Sequence, residues 1–325
     1  MQKELDILLH NQFQEMAIES EKEEMLFGLM AAQKYLPSKF FYDEAGSKLF
    51  EQITRLEEYY PTRSEKSILE RHAGELMRGA EGASLVEIGS GDCSKVSILL
   101  NALPRAMLKS LTYVPVDVSH SALEESRCKL QERFGHIKVS GIVADFMHQI
   151  HLVSRHENRI ICFLGSTIGN LDRGDAVRFI AKLAKLMKTG ERLLLGLDMV
   201  KDKGMLEKAY NDEKGITAKF NRNILNVANK IIGTDFVPGH FRHHAFFEEE
   251  KQRIEMHLVA ARDMKVSSPF FNVDLEIPEG QTIHTENSHK YKSRHIDEFA
   301  SVSGLTVRDV YNDRNRWFTL LDFIK

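Results

Sequence analysis

Three short apolar runs each end in residues suited to holding a small ligand. Glu87-Ile-Gly-Ser-Gly-Asp closes the run that begins at Ser84, and Gly89 and Gly91 there would let a ligand approach the backbone where a side chain would collide. A phosphate-cradling G-x-G-x-x-G would place a third glycine where Ser94 stands, so a dinucleotide held by its pyrophosphate is disfavoured. An adenosyl ligand without phosphates fits better. Asp117 closes Tyr113-Val-Pro-Val-Asp, where a carboxylate can accept hydrogen bonds from both hydroxyls of a ribose; its other use is helix capping, and its strand-end position favours the ribose. Asp145-Phe146 closes a third run, where the carboxylate could accept from an adenine amino group and the ring could cover the base. Spacing alone leaves a strand-terminal turn equally open for Asp145.

The elements that must position these residues alternate. Ser84 to the glycines reads as a buried strand, and Lys95-Val-Ser-Ile-Leu-Leu-Asn-Ala-Leu as the helix after it. Tyr113 to Asp117 is a second strand, followed by a helix capped at Ser119. Val139 to Ala144, Arg159-Ile-Ile-Cys-Phe-Leu-Gly and Arg192-Leu-Leu-Leu-Gly-Leu-Asp supply three more, separated by helical patterns. This is the pattern of an α/β, doubly wound, largely parallel sheet. Upstream, Lys3 to about Leu36 has helical spacing that ends at Pro37, and another helix is expected to start at a Ser64 cap with Glu65 in its first turn. Downstream, Met205 to Asn229 reads as helical, while Arg253-Ile-Glu-Met-His-Leu-Val-Ala and Thr282-Ile-His-Thr-Glu-Asn-Ser read as strands of an inserted lobe. A helix from Ile296 stops at Gly304, and Leu305 to Val310 with Trp317 to Phe323 form a closing antiparallel hairpin.

Composition narrows the function classes. With hydrophobic residues at 42% and charged residues at 28%, the chain can bury a sizeable core. A formal net charge of -3 gives no basic field for nucleic acid or anionic lipid, so neither is expected as a partner. Cys93, Cys128 and Cys162 show neither C-x-x-C spacing nor a metal-ligand pattern, and the N-terminal residues lack a long apolar run. The expectation is a cytoplasmic, monomeric protein with no metal.

Phe40-Phe-Tyr-Asp-Glu-Ala-Gly-Ser-Lys-Leu-Phe-Glu-Gln-Ile-Thr-Arg-Leu-Glu-Glu-Tyr-Tyr-Pro-Thr-Arg resembles the signature of the histidine-specific methyltransferases of ergothioneine biosynthesis. Leu164-Gly-Ser-Thr-Ile-Gly-Asn-Leu, Arg253-Ile-Glu-Met-His-Leu and Thr285-Glu-Asn-Ser resemble that family's motifs in the same order, from about residue 35 onward. The resemblance implies a Rossmann-type S-adenosylmethionine-dependent methyltransferase domain with a smaller α+β substrate-binding lobe. It implies three successive transfers to the α-amino group of L-histidine, giving trimethylhistidine (hercynine). The boundaries expected are 1–62 for the helical part of the substrate lobe, 63–198 for the core, 199–288 for the inserted lobe and 289–325 for completion of the core.

Carried over by resemblance, Gly89, Lys95, Asp117, Asp145 and Phe146 would hold S-adenosylmethionine, with the Lys95 ammonium as partner for a carboxylate. Without the resemblance, Lys95 reads as an exposed helix lysine. Tyr59, Gly165, Asn170, Tyr210, Met256, Glu286 and Ser288 would line the histidine pocket. Tyr42 would lie near the amine, as the one suggested aid to proton loss. Asn170 and Tyr210 offer neutral hydrogen bonds to the substrate carboxylate, and Tyr42 and Tyr59 offer ring faces to a methylated ammonium. Glu286 and Ser288, two apart on one strand, can meet both ring nitrogens of an imidazole. Spacing alone makes a solvated outer face the commoner outcome for that pair; the family context reverses this. Ser166 stands where the family commonly has glycine, and Asn287 and His289 are atypical neighbours of Glu286.

The nearest alternative substrate is another amino-acid amine such as a tryptophan derivative, against which Glu286 argues because indole offers a single donor. A nicotinamide-dependent oxidoreductase is disfavoured by the missing third glycine, and a non-catalytic adenosyl-binding protein by the full set of pocket residues.

Overall fold

The computed structural model describes residues 14–118, 120–135, 137–270 and 274–325. The start of the first helical stretch and the Ser119 cap lie outside the described residues. The chain divides into two compact units, one of Pro61–Val200 with His289–Lys325, the other of Lys201–Ser288 with the described residues up to Tyr60.

The first unit is built on an eight-stranded sheet. Its strands run in the order Thr306–Asn312, Phe318–Ile324, Arg192–Asp198, Arg159–Phe163, Ser84–Ile88, Thr112–Asp117 and Lys138–Val139, with Ile142–Val143 also pairing with Thr112–Asp117. Neighbours from Arg192–Asp198 to Lys138–Val139 are parallel. Phe318–Ile324 is antiparallel to both of its neighbours. Alternate residues of the strands enter two separate cores: Leu85, Tyr113, Cys162 and Leu194 on one side, Val86, Val114, Ile161 and Leu193 on the other. Burial on both faces is why these strands read as unbroken apolar runs. The doubly wound, largely parallel α/β sheet expected from the alternation is observed, with the Rossmann-type core that the resemblance implied. After Ser84–Ile88 the chain builds outward through Thr112–Asp117, then returns to add Arg159–Phe163 on the other side of Ser84–Ile88. That reversal opens a crevice at the carboxyl end of Ser84–Ile88, where the glycine turn lies. At the other end of the sheet, Arg192 Nε donates to Asp322 Oδ1 at 3.0 Å, both groups buried.

The second unit carries a four-stranded sheet in the order Lys34–Tyr35, Thr282–His289, Arg253–Ala260, Phe241–Glu248. The helix Ile216–Ile232 packs against it and against the helix Glu44–Ile53. A small antiparallel pair, Met264–Val266 with Leu275–Ile277, completes this α+β unit. Among the described residues no helix is long and apolar enough to cross a membrane.

Several boundaries differ from the sequence expectation. The first helix ends at Met30, not near Leu36, because Lys34 and Tyr35 pair with Ile283 and His284 and give their backbone groups to the sheet. The helix expected at Ser64 begins at Tyr60, with Pro61 in its first turn where a missing N–H costs nothing. Met205 to Asn229 is two helices, Lys203–Lys208 and Ile216–Ile232. Between them the Asp212 carboxylate accepts from the backbone N–H of Ile216 at 2.8 Å and Thr217 at 2.7 Å. Val139 to Ala144 is two fragments, Lys138–Val139 and Ile142–Val143, separated at Ser140 and Gly141. The strand Phe241–Glu248 was not expected, since Arg242, His243 and His244 blur its apolar alternation.

Candidate active site

In the first unit, Gly89 and Gly91 turn the chain with φ of 68° and 51°. Among the described residues, a Cβ on Gly89 would meet only Thr167 Cγ2 at 3.9 Å, and one on Gly91 nothing within 4 Å. Both positive φ values favour glycine, and no described side chain crowds the turn. Asp117 is half-buried beside the turn, its Oδ2 accepting from Gly91 N–H at 3.3 Å. The turn is fixed from behind by Ser126, whose hydroxyl donates to Gly91 O at 2.8 Å.

Lys95, in the helix Ser94–Asn101, is not an exposed surface lysine. Its Nζ lies 2.8 Å from Oε2 of Glu65, which is fully buried. Both Glu65 oxygens also accept from Gly165 N–H, at 2.8 and 2.9 Å. Lys95 was expected to help hold S-adenosylmethionine; in the structure the carboxylate beside its ammonium is that of Glu65. A Cβ at Gly165 would stand 2.7 Å from Lys95 Nζ, so this network requires glycine there. Glu65 was read only as a helix first-turn acid; its partners lie 30 and 100 residues away, as the numbering of Lys95 and Gly165 shows.

The next residue, Ser166, adopts a left-handed φ of 55°. This explains why glycine suits the position, and the serine hydroxyl accepts from Asp198 N–H at 2.9 Å. Asn170 ends the short 3-10 turn Thr167–Asn170 and is half-buried. The turn use left open for Asp145 is realised: Oδ1 accepts from Met147 N–H at 2.9 Å, and Oδ2 is 3.0 Å from His148 Nδ1. Phe146 lies edge-on to Phe163 and Phe179, with centroids 5.5 and 5.6 Å away.

Glu87 itself points into the core. Tyr113 OH donates to Glu87 Oε2 at 2.6 Å, and burial pushes the Glu87 carboxyl up to about 8 from 4.5. A carboxyl raised in the fold binds more protons there than in the unfolded chain between those two values, so stability falls as pH rises through that window. Glu87→Gln keeps an acceptor for Tyr113 and removes the ionisation. The variant should gain on the parent by about a few kcal/mol from pH 4.5 to 8. Denaturant melts of both proteins across this range measure it, and a difference that stays constant would mean that Glu87 titrates normally.

In the second unit, Glu286 and Ser288 on Thr282–His289 are only 8% and 5% exposed, which overturns the solvated-face option for this pair. Ser288 Oγ accepts from Tyr210 OH at 2.8 Å, and the Tyr210 ring meets Tyr59 edge-on with centroids 6.1 Å apart. Met256 is buried on Arg253–Ala260, and its carbonyl accepts from Thr285 Oγ1 at 3.0 Å. Tyr42 is half-buried and edge-on to Phe50 at 5.5 Å and Phe220 at 5.8 Å. The residue after it, Asp43, caps the helix Glu44–Ile53 through Gly46 N–H at 2.7 Å and accepts from Asn223 Nδ2 at 2.8 Å. This cap gives the acid of the Phe40 signature a structural task that the sequence reading did not identify.

A family model described as histidine-specific methyltransferase, SAM-dependent, matches residues 21–324. The chain is 38% identical over 293 residues to a histidine N-alpha-methyltransferase of Mycobacterium tuberculosis, covering 90% of this chain and 88% of that protein. It is 37% identical over 297 residues to a histidine N-alpha-methyltransferase of Mycolicibacterium smegmatis, covering 91% and 92%. It is 34% identical to ergothioneine biosynthesis protein 1 of Neurospora crassa, covering 84% of this chain but 31% of that longer protein.

Proposed function

The chain belongs to the histidine-specific, SAM-dependent methyltransferase family, and from that premise we propose that it methylates the α-amino group of free L-histidine. Three successive transfers give trimethylhistidine for ergothioneine biosynthesis. The observation that carries the reading is the match to two histidine N-alpha-methyltransferases over nearly the whole of both chains. The buried acid Glu286 supports it, since an acceptor withheld from water suits an imidazole N–H. Three free cysteines, Cys93, Cys128 and Cys162, support a cytoplasmic setting.

S-adenosylmethionine, when bound, supplies a methyl group on a sulfonium centre. The chain's own residues have three tasks. Asp117 accepts from the ribose hydroxyls beside the glycine turn, with Asp145 and Phe146 at the adenine. Lys95 and Glu65 hold Gly165 in place, and with it the backbone toward Asn170. By the family resemblance, Glu286, Ser288 and Met256 would read the histidine side chain, Asn170 and Tyr210 would meet its carboxylate, Tyr42 and Tyr59 would face its amine, and Gly165 would line the pocket. The amine must be neutral to attack in line, so alignment and removal of water carry most of the rate.

Mass spectrometry and NMR of products from histidine test the orientation. Mono-, di- and trimethylated species should accumulate in turn, with every methyl on the α-nitrogen. Methyl groups on the ring would mean that the imidazole, and not the amine, faces the sulfonium.

A further inference from the structure

Glu255 and His257 flank Met256 on Arg253–Ala260, so strand alternation points their side chains to the opposite face from Met256. His284, on Thr282–His289, brings its ring to 5.0 Å from that of His257. One potential ligand atom from each of Glu255, His257 and His284 lies within 4.8 Å of the other two. Glu255 and His257 are both only 8% exposed. His257 Nε2 is 3.0 Å from Glu255 Oε2, whereas its buried Nδ1 has no hydrogen-bond partner among the described residues. Oε2 and Nε2 thus already stand at about the separation of two ligands of one ion, with Nδ1 on the far side of the ring.

We propose that Glu255, His257 and His284 form a binding site for a divalent transition-metal ion such as Zn²⁺ or Co²⁺. Two imidazoles and a carboxylate are a donor set that such ions accept, with water completing the coordination. Ligand atoms about 2.0–2.2 Å from zinc stand roughly 3.4 Å apart around a tetrahedron, so small side-chain rotations close the observed spacing. Nearby groups would orient the ligands. Arg253 donates to Glu255 Oε1 from Nε at 2.8 Å and Nη2 at 2.6 Å, so Oε2 and His257 Nε2 would exchange their mutual hydrogen bond for the ion, and Asn287 Oδ1 is 2.9 Å from His284 Nε2. Burial lowers the affinity of both imidazoles for protons. Burial also raises the Glu255 carboxyl, but hydrogen bonds from Arg253 and His257 outweigh this and hold it at about 2. The site is separate from the methyl-transfer reading and does not depend on it. The strands that it would clamp also carry Met256, Glu286 and Ser288, so the ion would fix the strands bearing the proposed substrate contacts.

The sequence pattern did not reveal it because the ligands come from two strands and lack a compact motif spacing. The test uses untagged, chelator-stripped full chain, titrated without histidine, which itself chelates metals. Calorimetry should give a single equivalent of Zn²⁺ at micromolar affinity or tighter, Co²⁺ should develop visible absorption, and the melting temperature should rise with either ion. His284→Ala and Glu255→Gln should each weaken binding by at least about tenfold, with metal-free melts confirming that they fold, while His151→Ala, at an exposed histidine of the first unit, should leave it unchanged. No binding by the parent protein at millimolar ion, or affinity unaltered in folded His284→Ala and Glu255→Gln, overturns the proposal.

Discussion

Replacing Asp117 by alanine is expected to weaken S-adenosylmethionine binding by about a hundredfold. Two ribose hydroxyls bonded to one carboxylate are charge-assisted contacts, each worth about 1.5–3 kcal/mol, and every 1.4 kcal/mol is about tenfold in affinity. Asp117 is only half-buried, so water recovers part of the loss, which places the estimate at the lower end of that range. The carboxylate also accepts from Gly91 N–H, so the glycine turn loses an anchor together with the ligand contact. Asp117→Asn keeps one acceptor for that N–H and should lie between parent and alanine variant. Calorimetry with S-adenosylhomocysteine measures all three, with melting curves to confirm the fold. Unchanged affinity in a folded alanine variant would remove Asp117 from the cofactor site.

The second large effect concerns selectivity. Glu286→Ala should lower kcat/KM for histidine by roughly ten- to a hundredfold while leaving cofactor affinity near that of the parent, because a ring N–H left unpaired in a buried site costs about 1–3 kcal/mol. Combining it with Met256→Val enlarges and depolarises the same surroundings, so activity on tryptophan relative to histidine should rise. The ratio of the two kcat/KM values separates altered recognition from general damage. If both substrates fall by one factor, Glu286 does not read the side chain.

Much of the first unit was legible because its strands are buried on both faces and each ends in a conspicuous residue: Gly89, Asp117, Asp145. The closing hairpin was equally plain from Gly304 and the apolar run ending at Phe323. What could not be read were long-range partners. Nothing local to Glu65 announces that it holds both Lys95 and Gly165, and nothing local to Glu87 announces Tyr113. Glu286 and Ser288 were placed inside by family resemblance alone, since their strand lacks a clean two-residue alternation: Thr285 and Glu286 are adjacent and both buried. Helix ends were misjudged where tertiary pairing overrides local preference, as at Lys34 and Tyr35.

Phe318–Ile324 lies between Arg192–Asp198 and Thr306–Asn312, so an interior strand of the sheet is synthesised only after both of its neighbours. Until then, the nascent chain presents Arg192–Asp198 as an unpaired apolar edge, and the Arg192 guanidinium lacks Asp322. Open edges of this kind recruit other strands, and a buried charge without its partner destabilises what has already collapsed. Folding of the first unit is thereby tied to synthesis of the chain through Ile324. Messages interrupted before codon 318 should yield insoluble chains that need chaperones, and not smaller proteins with partial activity.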